Sequence, residues 1–111
     1  MKILCICNQG ENRSKTAAMV IQQSGRHETR YDGFYKERYN EKEKRWEKFD
    51  TANLDWAERI IVFEDIHEDE LKRINYAYWG KSINFDIPDV YYFDQPELVK
   101  IINEKIALFE L

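Results

Sequence analysis

The residues with the clearest capacity for chemistry stand near the start of the chain, in Cys7-Asn8-Gln9-Gly10-Glu11-Asn12-Arg13-Ser14. A cysteine closes an apolar run, a short polar loop with one glycine follows, and an arginine and a serine open a helix-patterned segment. Each residue type suits the handling of a phosphate group. Successive backbone N–H groups in such a loop can turn inward and form a nest for anionic oxygens, and the positive end of the following helix adds to it. Arg13 offers a planar, permanently charged fork that holds two phosphate oxygens at once and stabilises charge as phosphorus becomes five-coordinate. Cys7 is the nucleophile in this reading, since a thiolate is favoured at helix N-termini and beside cations. The Ser14 hydroxyl donates to that sulfur, and Gly10 supplies the permissive backbone a tight loop needs. Asn8, Gln9, Gly10, Glu11, Asn12, Arg13 and Ser14 are therefore all expected in the phosphate cradle. Glu11 has two readings. Pointing inward it repels phosphate, and pointing outward it shapes the rim and the choice of substrate.

Phosphoryl transfer also needs an acid for the departing oxygen. Asp89, in Ile87-Pro88-Asp89-Val90-Tyr91-Tyr92, is the expected donor, and the same carboxyl then activates water against the cysteinyl-phosphate. Asp94 is the second choice. Tyr91 and Tyr92 are expected to form an aromatic wall beside the substrate.

The elements that must position these groups alternate between strand and helix. Lys2–Cys7 reads as a buried strand, Ser14–Gln23 as a helix ended by Gly25, and Glu28–Tyr31 as a second strand. Residues 35–48 carry dense charge of both signs. The Asn40/Glu43 and Glu41/Arg45 spacings predict a solvated helix there, with Trp46 and Phe49 turned inward. A short helix over 53–57 leads to a strand at 59–63. A helix over 67–76, a strand over 82–85, a loop over 86–94 and a helix from Pro96 to Phe109 complete the pattern. Such alternation implies one domain over residues 1–111: a three-layer α/β/α sandwich around a four-stranded parallel sheet. Ligands bind beyond the carboxyl ends of the strands in such folds, which lets the Cys7–Ser14 and Asp86–Asp94 loops meet.

Cys7-x5-Arg13-Ser14 after the first strand, together with Asp89-Val90-Tyr91-Tyr92, resembles the low-molecular-weight protein tyrosine phosphatases. Their nucleophile loop has this form, and their general acid sits in an Asp-Pro-Tyr-Tyr segment. The segment from Leu54 to Phe63 and the C-terminal helix are also similar, and the likeness is strongest to the compact bacterial and phage-type branch. The resemblance implies a metal-free, cysteine-dependent phosphomonoesterase acting on a phosphotyrosine protein or a small phosphorylated molecule. The chain departs from that pattern in four places. Gly10 stands where the family usually has a loop-bracing Asn, Glu11 replaces an apolar residue, Val90 replaces proline, and Asn12 replaces a second cysteine.

Other chemistries fit less well. The chain has 17 basic and 21 acidic side chains and a net charge of −4, which disfavours non-specific nucleic-acid binding. No apolar run reaches the roughly 20 residues of a membrane span, so no membrane partner and a cytoplasmic location are expected. Cys5 and Cys7, two residues apart along an extended strand, are badly placed for a bridge; Cys5 reads as a core residue, which weakens a thiol-redox arsenate reductase of the same fold. A phosphate-binding module without turnover is the other alternative. His27 and His67 lack zinc-ligand spacing relative to the cysteines, so neither a metal nor a cofactor is expected. Oligomeric state is open.

Overall fold

A computed structural model describes residues 1–111. The chain order is β1 (Lys2–Cys7), α1 (Arg13–Gln23), β2 (Glu28–Gly33), β3 (Glu37–Asn40), β4 (Arg45–Lys48), α2 (Ala52–Trp56), β5 (Arg59–Val62), α3 (Asp65–Ile74), α4 (Tyr76–Gly80), β6 (Ser82–Asn84) and α5 (Pro96–Leu108). Strands β2, β1, β5 and β6 form, in that order, a wholly parallel four-stranded sheet. This is the expected α/β/α architecture. No helix is long and apolar enough to cross a membrane.

Alternation along β1 sends its side chains to two cores. Ile3, Cys5 and Cys7 join α1 and α5 through Ala17, Ile21, Leu98 and Ile102, with Phe63 and Phe85 filling between. Leu4 and Ile6 face the other way and meet Leu54, Ala57 and Leu71 from the α2 and α3 side. Full burial of each large aliphatic side chain is worth about 1.5–3 kcal/mol. With both faces covered, β1 has every residue after Lys2 buried, and Cys7 is carried rigidly to the carboxyl edge of the sheet.

The helix expected over residues 35–48 is instead a hairpin. Strands β3 and β4 pair antiparallel, with Tyr39 opposite Trp46 and Arg38 opposite Glu47. The Asn40 side chain does accept the Glu43 N–H, at 3.0 Å, but it closes a turn rather than capping a helix. Lys44 adopts φ 53° in that turn, a conformation that interrupts a right-handed helix. The ion pairing forms across strands, Arg38 with Glu47, rather than along a helix. Trp46 faces solvent at 62% exposure, contrary to expectation. It packs edge-on against Tyr39, while Phe49 packs on Phe34. The expected helix over 67–76 divides into α3 and α4 because Asn75 is extended and its side chain caps Ala77.

Candidate active site

The loop after β1 is shaped by close backbone contact rather than by a bracing side chain. Gly10 has φ +72°, a region open to glycine at little cost. A methyl group on Gly10 would stand 2.8 Å from the Asp32 carbonyl carbon, and one on Gly33 only 2.3 Å from that of Gln9. The end of β2 therefore lies flat against the loop. Phe34 N–H and Tyr35 N–H donate to the Cys7 and Asn8 carbonyls at 2.9 and 2.8 Å and extend that contact. Asp32, buried beside it, accepts from Gly33 N–H, Lys36, Asp50 N–H and Asn53. It thus fixes both ends of the segment that carries the hairpin.

Within this frame the Gly10 N–H donates to Cys7 Sγ at 3.3 Å, and the Ser14 hydroxyl lies 3.1 Å from the same sulfur. Arg13 is wholly buried. One of its terminal nitrogens, Nη1, donates to Glu64 Oε2 at 2.9 Å and to the Ile87 carbonyl at 2.7 Å. Nε and Nη2 have no hydrogen-bond partner in the protein. A buried guanidinium with two unpaired nitrogens is costly unless an anion satisfies it. Nε lies 3.7 Å from Asp89 Oδ1, beyond hydrogen-bond reach.

A cavity of about 60 Å3 is lined by Cys7, Asn8, Gln9, Glu11, Asn12 and Asp89. The two loops expected to meet do so at this point. Asn12 joins them, accepting the Phe93 N–H at 3.2 Å, and the Asp94 N–H donates to Thr16 Oγ1 at 2.9 Å. Asp89 therefore borders the cavity, whereas Asp94, the second choice for the acid, has its backbone spent on tethering the loop to α1. Glu11 takes the outward reading. Its side chain is 57% exposed and lies 3.4 Å from Arg38, which also donates to the Gln9 carbonyl.

The aromatic wall is not formed as expected. Neither Tyr91 nor Tyr92 lines the cavity. Tyr91 packs against the α1–α5 core, and Tyr92 is 78% exposed. The reason lies in the loop's anchoring, since apolar burial holds the Tyr91 ring against the core.

Four contributors escaped the reading of the motif. Glu64, Arg38 and Gly33 come from distant elements. The sequence offers His67 only as a zinc ligand without the right spacing, yet it is fully buried and hydrogen-bonded to Asn8 at 2.8 Å. The spacing Glu64-x-x-His67 at the start of α3 was its available signal, since His67 Nδ1 accepts the N–H of Glu64, the residue capping that helix.

No protein-family model matches the sequence, and no curated protein does. Solved structures do match in three dimensions. The low-molecular-weight protein tyrosine phosphatase from T. tengcongensis superposes with a TM-score of 0.73 at 16% identity, covering 99% of this chain and 95% of that one. The fold is that of the low-molecular-weight protein tyrosine phosphatases. Wzb from Vibrio vulnificus, solved with benzylphosphonate, gives a TM-score of 0.73 at 23% identity over 97% and 95% of the two chains. The YwlE arginine phosphatase from Geobacillus stearothermophilus gives 0.71 at 18% over 98% and 92%.

Proposed function

We propose that this protein is a cysteine-dependent phosphatase that hydrolyses a phosphate monoester, or a related phosphoryl compound, without a metal ion. The observation that carries the reading is Arg13, a buried guanidinium with Nε and Nη2 unpaired and Nε 3.7 Å from Asp89, which lines the cavity holding Cys7. A tetrahedral oxyanion meets that need, and the sulfur sits in the same cavity to attack its central atom. Solved structures of this fold include proteins described as tyrosine phosphatases and as an arginine phosphatase, which is compatible with the reading.

In the first step Cys7 Sγ, as thiolate, forms a bond to phosphorus while the bond to the leaving group breaks. Asp89, protonated, gives its proton to the departing atom. Arg13 and the loop N–H groups balance the charge on the equatorial oxygens. In the second step water attacks phosphorus, Asp89 takes the water proton, and the S–P bond breaks. The Ser14 hydroxyl and the Gly10 N–H receive the returning thiolate. Asn8, Gln9, Glu11 and Asn12 complete the lining, with Glu11 at the rim.

The redox alternative meets an obstacle in Cys5. It is wholly buried, and burial, with the neighbouring Cys7, pushes its thiol up, so it is poorly suited to relay a disulfide.

The test is hydrolysis of para-nitrophenyl phosphate with EDTA present, by wild type, Cys7→Ser and Asp89→Asn. The expected result is turnover in wild type, none detectable in Cys7→Ser, and, with phenyl phosphate as a second substrate whose leaving group needs an acid, a loss on the order of 10²-fold in Asp89→Asn. Unchanged turnover in Cys7→Ser sinks the proposal. No turnover of any phosphoester, with phosphate still bound, leaves a binding module.

A further inference from the structure

His67 is a buried titratable side chain, bonded to a residue that lines the cavity, which the mechanism above leaves unused. Its hydrogen bonds form a chain in which each donor dictates the next. The N–H groups of Phe63 and Glu64 both point at Nδ1, at 3.1 and 3.2 Å. Both are donors, so Nδ1 accepts and carries no proton. The ring proton therefore resides on Nε2, which can only donate. The atom it meets at 2.8 Å is Asn8 Oδ1, which fixes the orientation of the Asn8 amide. The NH2 end of that amide is turned the other way and lies 3.5 Å from Asp89 Oδ2. Polarity thus runs from the backbone at the end of β5, through His67 and Asn8, to Asp89.

We propose that His67 is a positioning residue which, through the amide of Asn8, holds the Asp89 carboxyl at the mouth of the Cys7 cavity. The proposal rests on the phosphatase reading. The Asp89 side chain is half exposed and has only two neighbours of opposite polarity, Asn8 and the more distant Arg13 Nε. With the Asn8 amide free to rotate, its carbonyl can face the carboxylate and repel it, and Asp89 moves toward solvent. The amide that receives the His67 proton is that of Asn8, next to the nucleophile. Its function here extends beyond the loop to the acid.

The state of the ring suits this task. Burial, then the charge of Arg13, lowers the His67 pKa to about 4, with Glu64 and Asp89 pulling the other way. The ring is neutral at neutral pH, as a donor–acceptor relay requires.

Two substitutions separate the relay from the fold. Asn at position 67 places an acceptor near the position of Nδ1 and so keeps the backbone contacts, but it is too short to reach Asn8. Gln at position 67 reaches toward the position of Nε2 and so restores a donor to Asn8. The full chain is assayed as wild type, His67→Asn, His67→Gln, Asp89→Asn and the double variant His67→Asn/Asp89→Asn. The substrates are para-nitrophenyl phosphate, whose leaving group hardly needs an acid, and phenyl phosphate, whose leaving group does. In His67→Asn, kcat/KM is expected to fall about tenfold or more on phenyl phosphate, as befits partial loss of a general acid. It changes much less on para-nitrophenyl phosphate, and inhibition by inorganic phosphate is unaltered. His67→Gln recovers part of the loss, and the double variant is no worse than Asp89→Asn. Equal losses on both substrates, or losses that multiply in the double variant, overturn the proposal. A wild type inert toward both substrates defeats the phosphatase reading instead. In that case NMR decides the relay: the Asn8 side-chain amide and Asp89 carboxyl resonances move in His67→Asn if it exists and stay in place if it does not.

Discussion

Gly33→Ala tests whether the loop owes its shape to backbone contact. The added methyl would stand 2.3 Å from the Gln9 carbonyl carbon, 2.5 Å from Gly10 N and 2.7 Å from Gln9 Cα, all of them backbone atoms. Carbon atoms pack at about 3.5–4.0 Å, so the loop and the end of β2 must part by roughly 1 Å. No side-chain rotation can relieve it. Overpacking of this kind costs about 1–3 kcal/mol, which lowers Tm by some 4–8 °C per kcal/mol in a domain near this size. The catalytic penalty is expected to be larger, because displacement by about 1 Å can cost on the order of 10²-fold in rate. Gly80→Ala is the control, since a methyl there meets nothing within 4 Å. Melting curves, vanadate binding and kcat/KM on para-nitrophenyl phosphate, measured together, give the answer. Wild-type kcat/KM in Gly33→Ala would refute the reasoning, and loss of activity in Gly80→Ala would show that the assay reads something else.

Arg13→Lys keeps the charge, but an ammonium has three donors, so keeping Glu64 and the Ile87 carbonyl leaves it one for an anion where the guanidinium leaves two nitrogens. Phosphate affinity, measured as competitive inhibition or by calorimetry, is expected to fall at least about tenfold, on the scale of a lost charged hydrogen bond; unchanged affinity counts against the cradle. His67 makes stability depend on pH. The unfolded chain takes up its proton near the ordinary histidine value of 6.5, whereas the folded chain resists until about 4. Between those values the unfolded state holds more protons, so stability rises with pH across the window and is lost as pH falls through it. Urea melts at pH 7.5 and 4.5 should differ by about 2–3 kcal/mol from this group, and His67→Asn should remove that difference; an equal loss in both proteins argues against it.

The parts of the site legible in the sequence are those that lie close together along the chain. Cys7, Gly10, Arg13 and Ser14 follow one another within a single strand–loop–helix turn, so spacing alone places them. Asp89 was legible for a related reason, because strand order brings both loops to the same sheet edge. Glu64, Gly33 and Arg38 were hidden because their roles depend on which strand neighbours which. Gly33 in particular reads as an ordinary turn glycine until β2 is seen lying against residues 9–10. The hairpin was misread for a different reason. Charges of alternating sign pair at i,i+4 on a helix and equally well across two strands, and Tyr39 and Trp46, seven apart, share a face of a helix but touch only when strands place them opposite each other.

The departures from the usual phosphatase loop become intelligible together. Without an Asn at position 10, the loop could be expected to lose rigidity. Here the glycine lets it settle directly on Gly33, and Asp32 ties that strand end to Lys36, Asp50 and Asn53. Glycine at 10 and glycine at 33 are thus one feature, since a methyl on either meets backbone of the other segment. His67 of α3 meets the loop at Asn8, whose amide also faces Asp89. Glu11 is turned to the rim, where Arg38 of the hairpin answers its charge and donates to the Gln9 carbonyl. The loop is thus held by the sheet from below through Gly10 and Gly33, by α3 from one side and by the hairpin from the other.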